Sequence, residues 1–336
     1  MDSKTKYKYG FTLGKFMPPH KGHEHMILSA LEKVEQLTVL VCSVKREPLD
    51  GNLRFTWMQQ LFSGNERVHL VHVTDEVPSY PQEHPDFERI WTALLKKHIH
   101  SETSVFISSE TYGKDVAHWL NIDHLEIDES RTTFPVSSSA IRANPLGNWN
   151  FIPKNVQPYF LKRVILTGPE STGKTFLAEE LAKYFNTTWV PEFGRIHFEK
   201  VNGKLTLEDI SIIAKGHLQL EEEKAMNADK ILFYDTDLIV TQIWSEIYFK
   251  QCSDWIKEEN SRRKYDLFLL MDIDIPWVND GTREFPHLRE WHFKRLKEEL
   301  DSRKVNYRII SGDYETRFET AKREIEKLIS NTKNHE

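Results

Sequence analysis

Eight consecutive residues constrain this chain more than any other feature: Gly168-Pro169-Glu170-Ser171-Thr172-Gly173-Lys174-Thr175. They follow the pattern of a phosphate-binding loop. The run Arg163–Thr167 ahead of them reads as a strand, and Thr175–Phe185 reads as a helix. A strand that turns through glycines into a helix aims loop N–H groups and a helix N-terminus at one point, where phosphate oxygens collect. The loop lies mid-chain, so a whole domain's length precedes it.

A chain of 336 residues is too long for one ordinary core and suits two domains. The first half alternates strand and helix patterns. Strands are expected at Tyr9–Leu13, Leu37–Val44, Val68–Val73, Ser104–Ile107 and Leu125–Ile127. Helices are expected at Gly22–Glu35, Arg54–Phe62, Asp86–Ile99 and Lys114–Asn121. Strands separated by helices argue for a parallel sheet. Asn144–Pro158 carries three prolines and little periodicity, which puts the boundary near Gln157 and the domains at 1–157 and 158–336. The second half restarts the alternation. Its strands are Arg163–Thr167, Thr188–Val190, Ile231–Tyr234, Leu267–Met271 and Tyr307–Ile310. Thr175–Phe185, Leu207–Met226, Leu238–Phe249, Leu288–Leu300 and Tyr314–Ile329 are its helices. The expected fold class is α/β: a Rossmann-like parallel sheet, then a second parallel sheet built on the phosphate loop.

In the second half, Gly168, Glu170, Ser171, Thr172, Gly173, Lys174 and Thr175 form the expected ATP-binding set, with Lys174 reaching the β/γ-phosphates and the Thr175 hydroxyl ligating Mg²⁺. The apolar run Ile231–Tyr234 ends in Asp235-Thr236-Asp237. Parallel strands present ligands at their carboxyl ends, so Asp235 is the expected magnesium anchor. Asp237 can accept a proton from a substrate hydroxyl or cap the next helix, and the two roles can coexist. The loop Asp274–Arg283 contains Trp277, which either stacks on a flat ring or sits in the core, and Arg283, which would neutralise a transferring phosphoryl group. Glu192 and Arg195 can hold a polar substrate or form a surface ion pair.

In the first half, Gly14-Lys15-Phe16-Met17-Pro18-Pro19-His20-Lys21-Gly22-His23 follows the first strand. His23 opens a helix while His20 hangs in the loop, so both imidazoles can face the helix N-terminus, where anions collect. Such a site suits attack of a phosphate on the α-phosphorus of ATP, with positioning and charge stabilisation supplying the catalysis. Two histidines without Cys, Asp or Glu in the loop make a poor metal set. Val136-Ser-Ser138-Ser139-Ala-Ile-Arg142 supplies hydroxyls, helix-opening N–H groups and an arginine, a second phosphate cradle. ATP in this half is expected at Gly14, Lys15, Phe16, His20, His23, Ser138, Ser139 and Arg142. Lys45 and Arg46 are further candidates, or a solvated basic turn.

Composition excludes several classes. A net charge of −6 is a poor footing for general nucleic-acid binding. The longest apolar runs are strand-sized, and the polar start Met1–Tyr9 has no apolar stretch behind it, so neither a membrane span nor a secretory signal is expected. Two distant cysteines, Cys42 and Cys252, read as reduced thiols of a cytoplasmic protein.

The histidine loop with the Ser-Ser-x-Ile-Arg segment resembles the nucleotidyltransferase superfamily, whose signatures are G-x-F-x-P-x-H-x-G-H and I-S-x-T-x-I-R. Gly14–His23 matches the first fully; in the second, Val136 replaces Ile and Ser139 replaces Thr. Paired with a phosphate-loop kinase, the combination looks like the bifunctional NadR-type proteins, over nearly the whole chain. Ser108–Gly113, Tyr234–Asp237, Trp277–Arg283 and the Tyr314 segment add to the resemblance. It implies nicotinamide-nucleotide adenylyltransferase and ribosylnicotinamide kinase activities, with ATP as co-substrate, Mg²⁺ as cofactor, and ribosylnicotinamide, nicotinamide mononucleotide (NMN) and NAD as the small-molecule partners. It also implies that Trp277 and Tyr314 stack on the nicotinamide ring. Lys174, Asp237 and Arg283 would carry the kinase step, and His20, His23 and Arg142 the adenylyl transfer. Some relatives carry an N-terminal helix-turn-helix repressor module; the first strand here begins near Tyr9, so none is expected. A homo-oligomer is left open. So are two rivals: an enzyme acting on another acceptor (pantetheine, a flavin or a pyrimidine nucleotide), and a nucleotide sensor with a degenerate transferase half.

Overall fold

In the computed structural model, which describes residues 7–128, 132–279 and 285–330, the chain forms two compact units, Met1–Gln157 and Pro158–His335. Each is built on its own five-stranded, all-parallel sheet. Parallel strands need helical crossovers, which cover both faces; central strands then read as continuous apolar runs.

The first sheet contains β1 (Tyr7–Gly14), β2 (Val34–Cys42), β3 (Val68–Val73), β4 (Val105–Ser108) and β5 (Asp123–Glu126), in the order β3-β2-β1-β4-β5. Val39, Val41 and Ile107 face one core with Ile27 and Met58; Phe11, Leu40 and Phe106 face the other with Leu95 and Val116. The strand order reverses beside β1, between β2 and β4. A crevice forms at such a switch point, outside the carboxyl ends of the strands. The loop after β1 carries His20 there, and the helix that follows it, Lys21–Ala30, opens with His23 in its first turn.

The second sheet contains β6 (Lys162–Thr167), β7 (Trp189–Val190), β8 (Ile231–Asp235), β9 (Leu267–Met271) and β10 (Tyr307–Ile310), ordered β10-β9-β6-β8-β7. β6 is central, and its neighbour β8 ends level with it: Asp235 pairs with Leu166, and the Thr236 N–H donates to the Leu166 carbonyl at 2.9 Å. The phosphate loop and the Asp235 carboxylate therefore leave the sheet side by side.

One local expectation needs correction, and two helices went unread. The helix expected over Gly22–Glu35 ends at Ala30, and β2 begins at Val34. Val34 is fully buried and Gln36 pairs with Tyr9, so sheet registry overrides a helical pattern that lacks a glycine stop. Phe193–Lys200, for which the sequence reading placed no element, is a helix that runs through Gly194. Asp254–Arg262 is also a helix, capped by the Ser253 hydroxyl; only Ile256 and Asn260 are buried along it, too few for a periodic signal. No described helix is long and apolar enough to cross a membrane.

Candidate functional site

In the first unit, His20 and His23 cap the helix Lys21–Ala30 reciprocally. The His23 N–H donates to His20 Nδ1 at 3.3 Å, and the His20 N–H donates to His23 Nδ1 at 3.2 Å. Their rings stack at 3.6 Å with 22° between planes. A neutral imidazole whose Nδ1 accepts must carry its proton on Nε2. The cap thus sets both rings as Nε2–H donors at a helix N-terminus, where an anion is favoured. Gly22 leaves room for this: a Cβ there would come within 3.0 Å of His20 Nδ1.

The second cradle reaches the first across more than a hundred residues. The Arg142 guanidinium donates to the Met17 carbonyl, and the Ser138 hydroxyl donates to the Pro18 carbonyl at 2.9 Å. Arg142 also donates to the Ser139 hydroxyl at 3.3 Å. Ser137, not Ser138 or Ser139, caps the helix Ser138–Ala143. Gly14 and buried Phe16 pack together, since a Cβ on Gly14 would meet the Phe16 ring at 3.2 Å. Lys15 pairs with Glu47 at 3.0 Å, whereas Arg46 pairs with Glu83 at 2.8 Å and is largely exposed.

In the second unit the glycines do what the loop needs. Gly168 has φ +150° and Gly173 has φ +82°, conformations that L side chains rarely adopt. Lys174 Nζ folds over the loop onto the Gly168 and Pro169 carbonyls at 3.0 and 2.9 Å. The loop opens into a cavity of about 620 Å³ that is lined by Lys174, Thr175, Glu192, Arg195 and Tyr314. Tyr314 stands edge-on to Phe176 at 5.3 Å and would touch a Cβ on Gly173 at 3.2 Å. Arg195 also pairs with Glu199 at 3.4 Å. Pro276 and Val278 reach the cavity wall, but half-buried Trp277 between them does not. Arg283 lies outside the described residues.

The two aspartates divide their oxygens. Asp235 Oδ2 accepts from the Thr175 hydroxyl, while Oδ1 is buried without a partner among the described residues. Asp237 Oδ1 caps the helix Leu238–Phe249, accepting from the Ile239 and Val240 N–H groups at 3.1 and 3.3 Å; Oδ2 is likewise buried and unpartnered. Burial pushes the Asp237 carboxyl up to about 7 against those N–H groups. Burial also raises Asp235, with Lys174 and Thr175 opposing, and raises Glu192, helped by the charge of Asp235. An orphaned carboxylate oxygen next to a threonine hydroxyl at the phosphate loop is the donor set of a hard cation such as Mg²⁺. Among the described residues no group of three or more His, Cys, Asp or Glu forms a metal cage.

Four residues escaped the sequence reading. Arg54 is fully buried and braces the first unit, donating to the Lys15 and Cys42 carbonyls and pairing with Glu47. Arg317, 1% exposed, does the same for the second, donating to the Thr172, Gly312 and Asp272 carbonyls. His217 and His292 line the cavity, almost fully buried, each with an unpartnered Nε2. Burial, then Arg263, takes His217 down to about 4; burial, then Lys174, takes His292 to about 3.

Fold and loops together define a nucleotidyltransferase-like unit followed in the same chain by a phosphate-loop unit. The Cytidylyltransferase-like family matches residues 11–144, and the AAA domain family matches residues 163–317. The chain as a whole is homologous to NadR. It is 28% identical to the trifunctional NAD biosynthesis/regulator protein NadR of Escherichia coli strain K12, over 94% of this chain and 82% of that protein. With the Salmonella typhimurium strain LT2 protein of the same name it shares 28% identity, over 92% and 80%. Its fold matches a crystal structure of NadR in complex with NAD and AMP-PNP, with a TM-score of 0.82, 22% identity and 96% of each chain covered.

Proposed function

We propose that this chain catalyses two successive steps of NAD synthesis: phosphorylation of ribosylnicotinamide by ATP, and adenylyl transfer from a second ATP to the resulting NMN, releasing pyrophosphate. The observation that carries this reading is that each unit has its own phosphate-gripping loop at the carboxyl ends of a parallel sheet.

In the kinase unit, residues 158–336, Lys174 leaves its carbonyl partners for the β/γ-phosphates, and loop N–H groups hold the remaining oxygens. Thr175 and Asp235 would hold Mg²⁺, which supplies charge neutralisation on the phosphates when bound. Asp237 is split between structure and chemistry: Oδ1 fixes the carboxyl on its helix, and Oδ2 takes the proton of the attacking ribose hydroxyl. Glu192, Arg195 and Tyr314 line the acceptor's cavity. Trp277 would join Tyr314 against the nicotinamide ring if the Asp274–Asn279 loop turns it inward, and Arg283 would cover the phosphoryl group.

In the transferase unit, residues 1–157, an oxygen of the NMN phosphate attacks the α-phosphorus of ATP and the bond to the β-phosphate oxygen breaks. His20 and His23 donate from Nε2 to the oxygens where charge builds up. Arg142, held by Met17 and Ser139, neutralises the same charge, with Lys15 beside it. Ser138 and Ser139 shape the cradle.

Product analysis tests the reading. With ribosylnicotinamide, Mg²⁺ and ATP, NMN and then NAD should form, with pyrophosphate released in the second step only. NMN that gives no NAD, while a pantetheine, flavin or pyrimidine acceptor turns over, would reject the choice of acceptor. No pyrophosphate with any acceptor would favour a nucleotide sensor.

A further inference from the structure

His292 does nothing in the mechanism above, yet it is built like a ligand-reading group. It sits in the first turn of the helix Arg289–Arg303, 3% exposed, and lines the same cavity as Lys174. Its Nε2 is buried and finds no hydrogen-bond partner among the described residues. A buried polar nitrogen left unpaired is costly, so each one in a native structure calls for an explanation, and in a cavity wall a ligand that completes the bond supplies one. The ring is also held in place: Trp244 packs edge-on to it at 5.1 Å and 80°. The start of its helix is tied to the phosphate loop, because Arg289 donates to the Ser171 carbonyl at 3.4 Å and to the Ile275 carbonyl at 3.1 Å.

We propose that His292 is a specificity-determining residue of the kinase unit, hydrogen-bonding through Nε2 to a ribose hydroxyl of the nucleoside acceptor other than the one phosphorylated. The inference rests on the nucleoside kinase reading of this cavity. Two features select a sugar hydroxyl over other groups. Arg289 ties the start of the His292 helix to the phosphate loop, and His292 shares the cavity wall with Lys174, so the ring lies toward the phosphoryl end; the ribose is the part of a nucleoside that adjoins that end. Burial and Lys174 also keep the imidazole neutral at physiological pH, which suits an uncharged partner able to give or accept a hydrogen bond. A neutral ring adds no repulsion toward a cationic pyridinium nucleoside.

The test compares wild type, His292→Leu and His292→Gln with ribosylnicotinamide and its 2′-deoxy and 3′-deoxy analogues. Leucine fills similar space without a polar atom; glutamine places an amide nitrogen near the position of Nε2. His292→Leu should raise KM for the riboside about tenfold or more, with kcat and the KM for ATP changing far less. His292→Gln should recover most of that loss. Wild type should discriminate against at least one deoxy analogue by a similar factor, and the discrimination should vanish in His292→Leu. Thermal melts of all three proteins separate misfolding from lost recognition; if leucine unfolds the unit, the glutamine variant and the wild-type analogue series still decide. Unchanged KM in a folded leucine variant, or undiminished discrimination against both analogues, overturns the role of His292 alone. Wild type that never phosphorylates the riboside overturns the kinase reading and this inference together.

Discussion

On the proposed reading, the two units solve one problem, holding a triphosphate, with different materials. In the first, the grip is made by side chains: two stacked imidazoles that cap each other's backbone, and an arginine anchored on the Met17 carbonyl. In the second, it is made by backbone: a loop bent through Gly168 and Gly173, with one lysine laid across it. The difference follows the bond to be broken. Cutting at the γ-phosphorus leaves the rest of the nucleotide untouched, so a backbone cradle around the tail can do the holding, with Lys174 adding the charge. Attack at the α-phosphorus needs charge relief at the root of the tail, where directed donors must flank the reacting atom. What the units share lies beneath the surface. Each has a buried arginine, Arg54 or Arg317, that pins the loop after its first strand by donating to carbonyls.

The strongest way to break this comparison is to disable one grip and watch the other. Lys174→Ala removes the only lysine of the phosphate loop and should lower riboside phosphorylation about a thousandfold. Adenylyl transfer to supplied NMN should stay within about twofold of wild type, because Lys174 belongs to the other unit. A parallel fall in both rates, in a protein that melts normally, would mean that the units do not act separately.

Asp237 offers a pH-resolved version. Its folded pKa is raised to about 7, so it is mostly protonated at pH 6 and ionised at pH 8. As a base it works only when ionised. Riboside phosphorylation should therefore rise with pH through about 7 while adenylyl transfer does not follow that limb. Asp237→Asn should cost about a hundredfold in kcat and erase the limb. The stability sign is the reverse. A raised pKa contributes stability that is complete below the unfolded value and lost as pH rises through about 7. Asn keeps a capping oxygen, so the variant should gain in melting temperature relative to wild type on going from pH 5 to pH 8. A variant with wild-type kinase activity would leave Asp237 as a helix cap only.

His23→Ala should reduce adenylyl transfer about a hundredfold and let NMN accumulate from the riboside. His20 separates cap from catalyst. His20→Ala should lose activity and roughly 1 kcal/mol of cap stability, whereas His20→Asn should recover the stability but not the rate. Recovery of both by Asn would make the imidazole a structural device.

Both loop motifs were legible in the sequence because each is contiguous: Gly14–His23 from the end of β1, and eight residues after β6, with their glycines and donors at fixed offsets; Arg142, 125 residues from the Met17 carbonyl it meets, was legible only within its own short segment. The braces were not. Arg54 touches a carbonyl 39 residues away and Arg317 one 145 residues away, and any residue can present a carbonyl, so nothing in the pattern marks the partner. His292 is hidden for another reason: a lone histidine in the stretch Arg289-Glu-Trp-His-Phe-Lys-Arg295 belongs to no motif, and its burial and unpaired nitrogen show only in the structure. The same limit applies to Asp237, for which the sequence offers a cap or a base: the structure assigns the cap to one oxygen and leaves the other buried without a partner among the described residues.

The smallest expected effect tests how far the side-chain grip of the first unit extends. Three cations follow its first two strands: Lys15, Lys45 and Arg46. Arg46 is held by Glu83 and by the Ser79 hydroxyl, and its side chain is 58% exposed. An exposed pair of this kind contributes little to stability and presents a charge already answered. Lys15 differs: it meets buried Glu47, which Arg54 also holds. Burial works against ionising that carboxyl, but Lys15, the Val44 N–H and Arg54 outweigh it and keep Glu47 charged. Lys15 also reaches the Ser79 hydroxyl at 3.5 Å, but Glu47 holds it from behind within the histidine loop, whereas Arg46 is tethered to the surface loop. Arg46→Ala should leave adenylyl transfer within about twofold, and Lys15→Ala should lower it about tenfold, mostly through KM for ATP. If the two variants lose activity equally, the grip continues past β1 to the end of β2, and the contrast between a compact backbone cradle and a two-histidine clamp must be redrawn as a cradle against a broad basic rim.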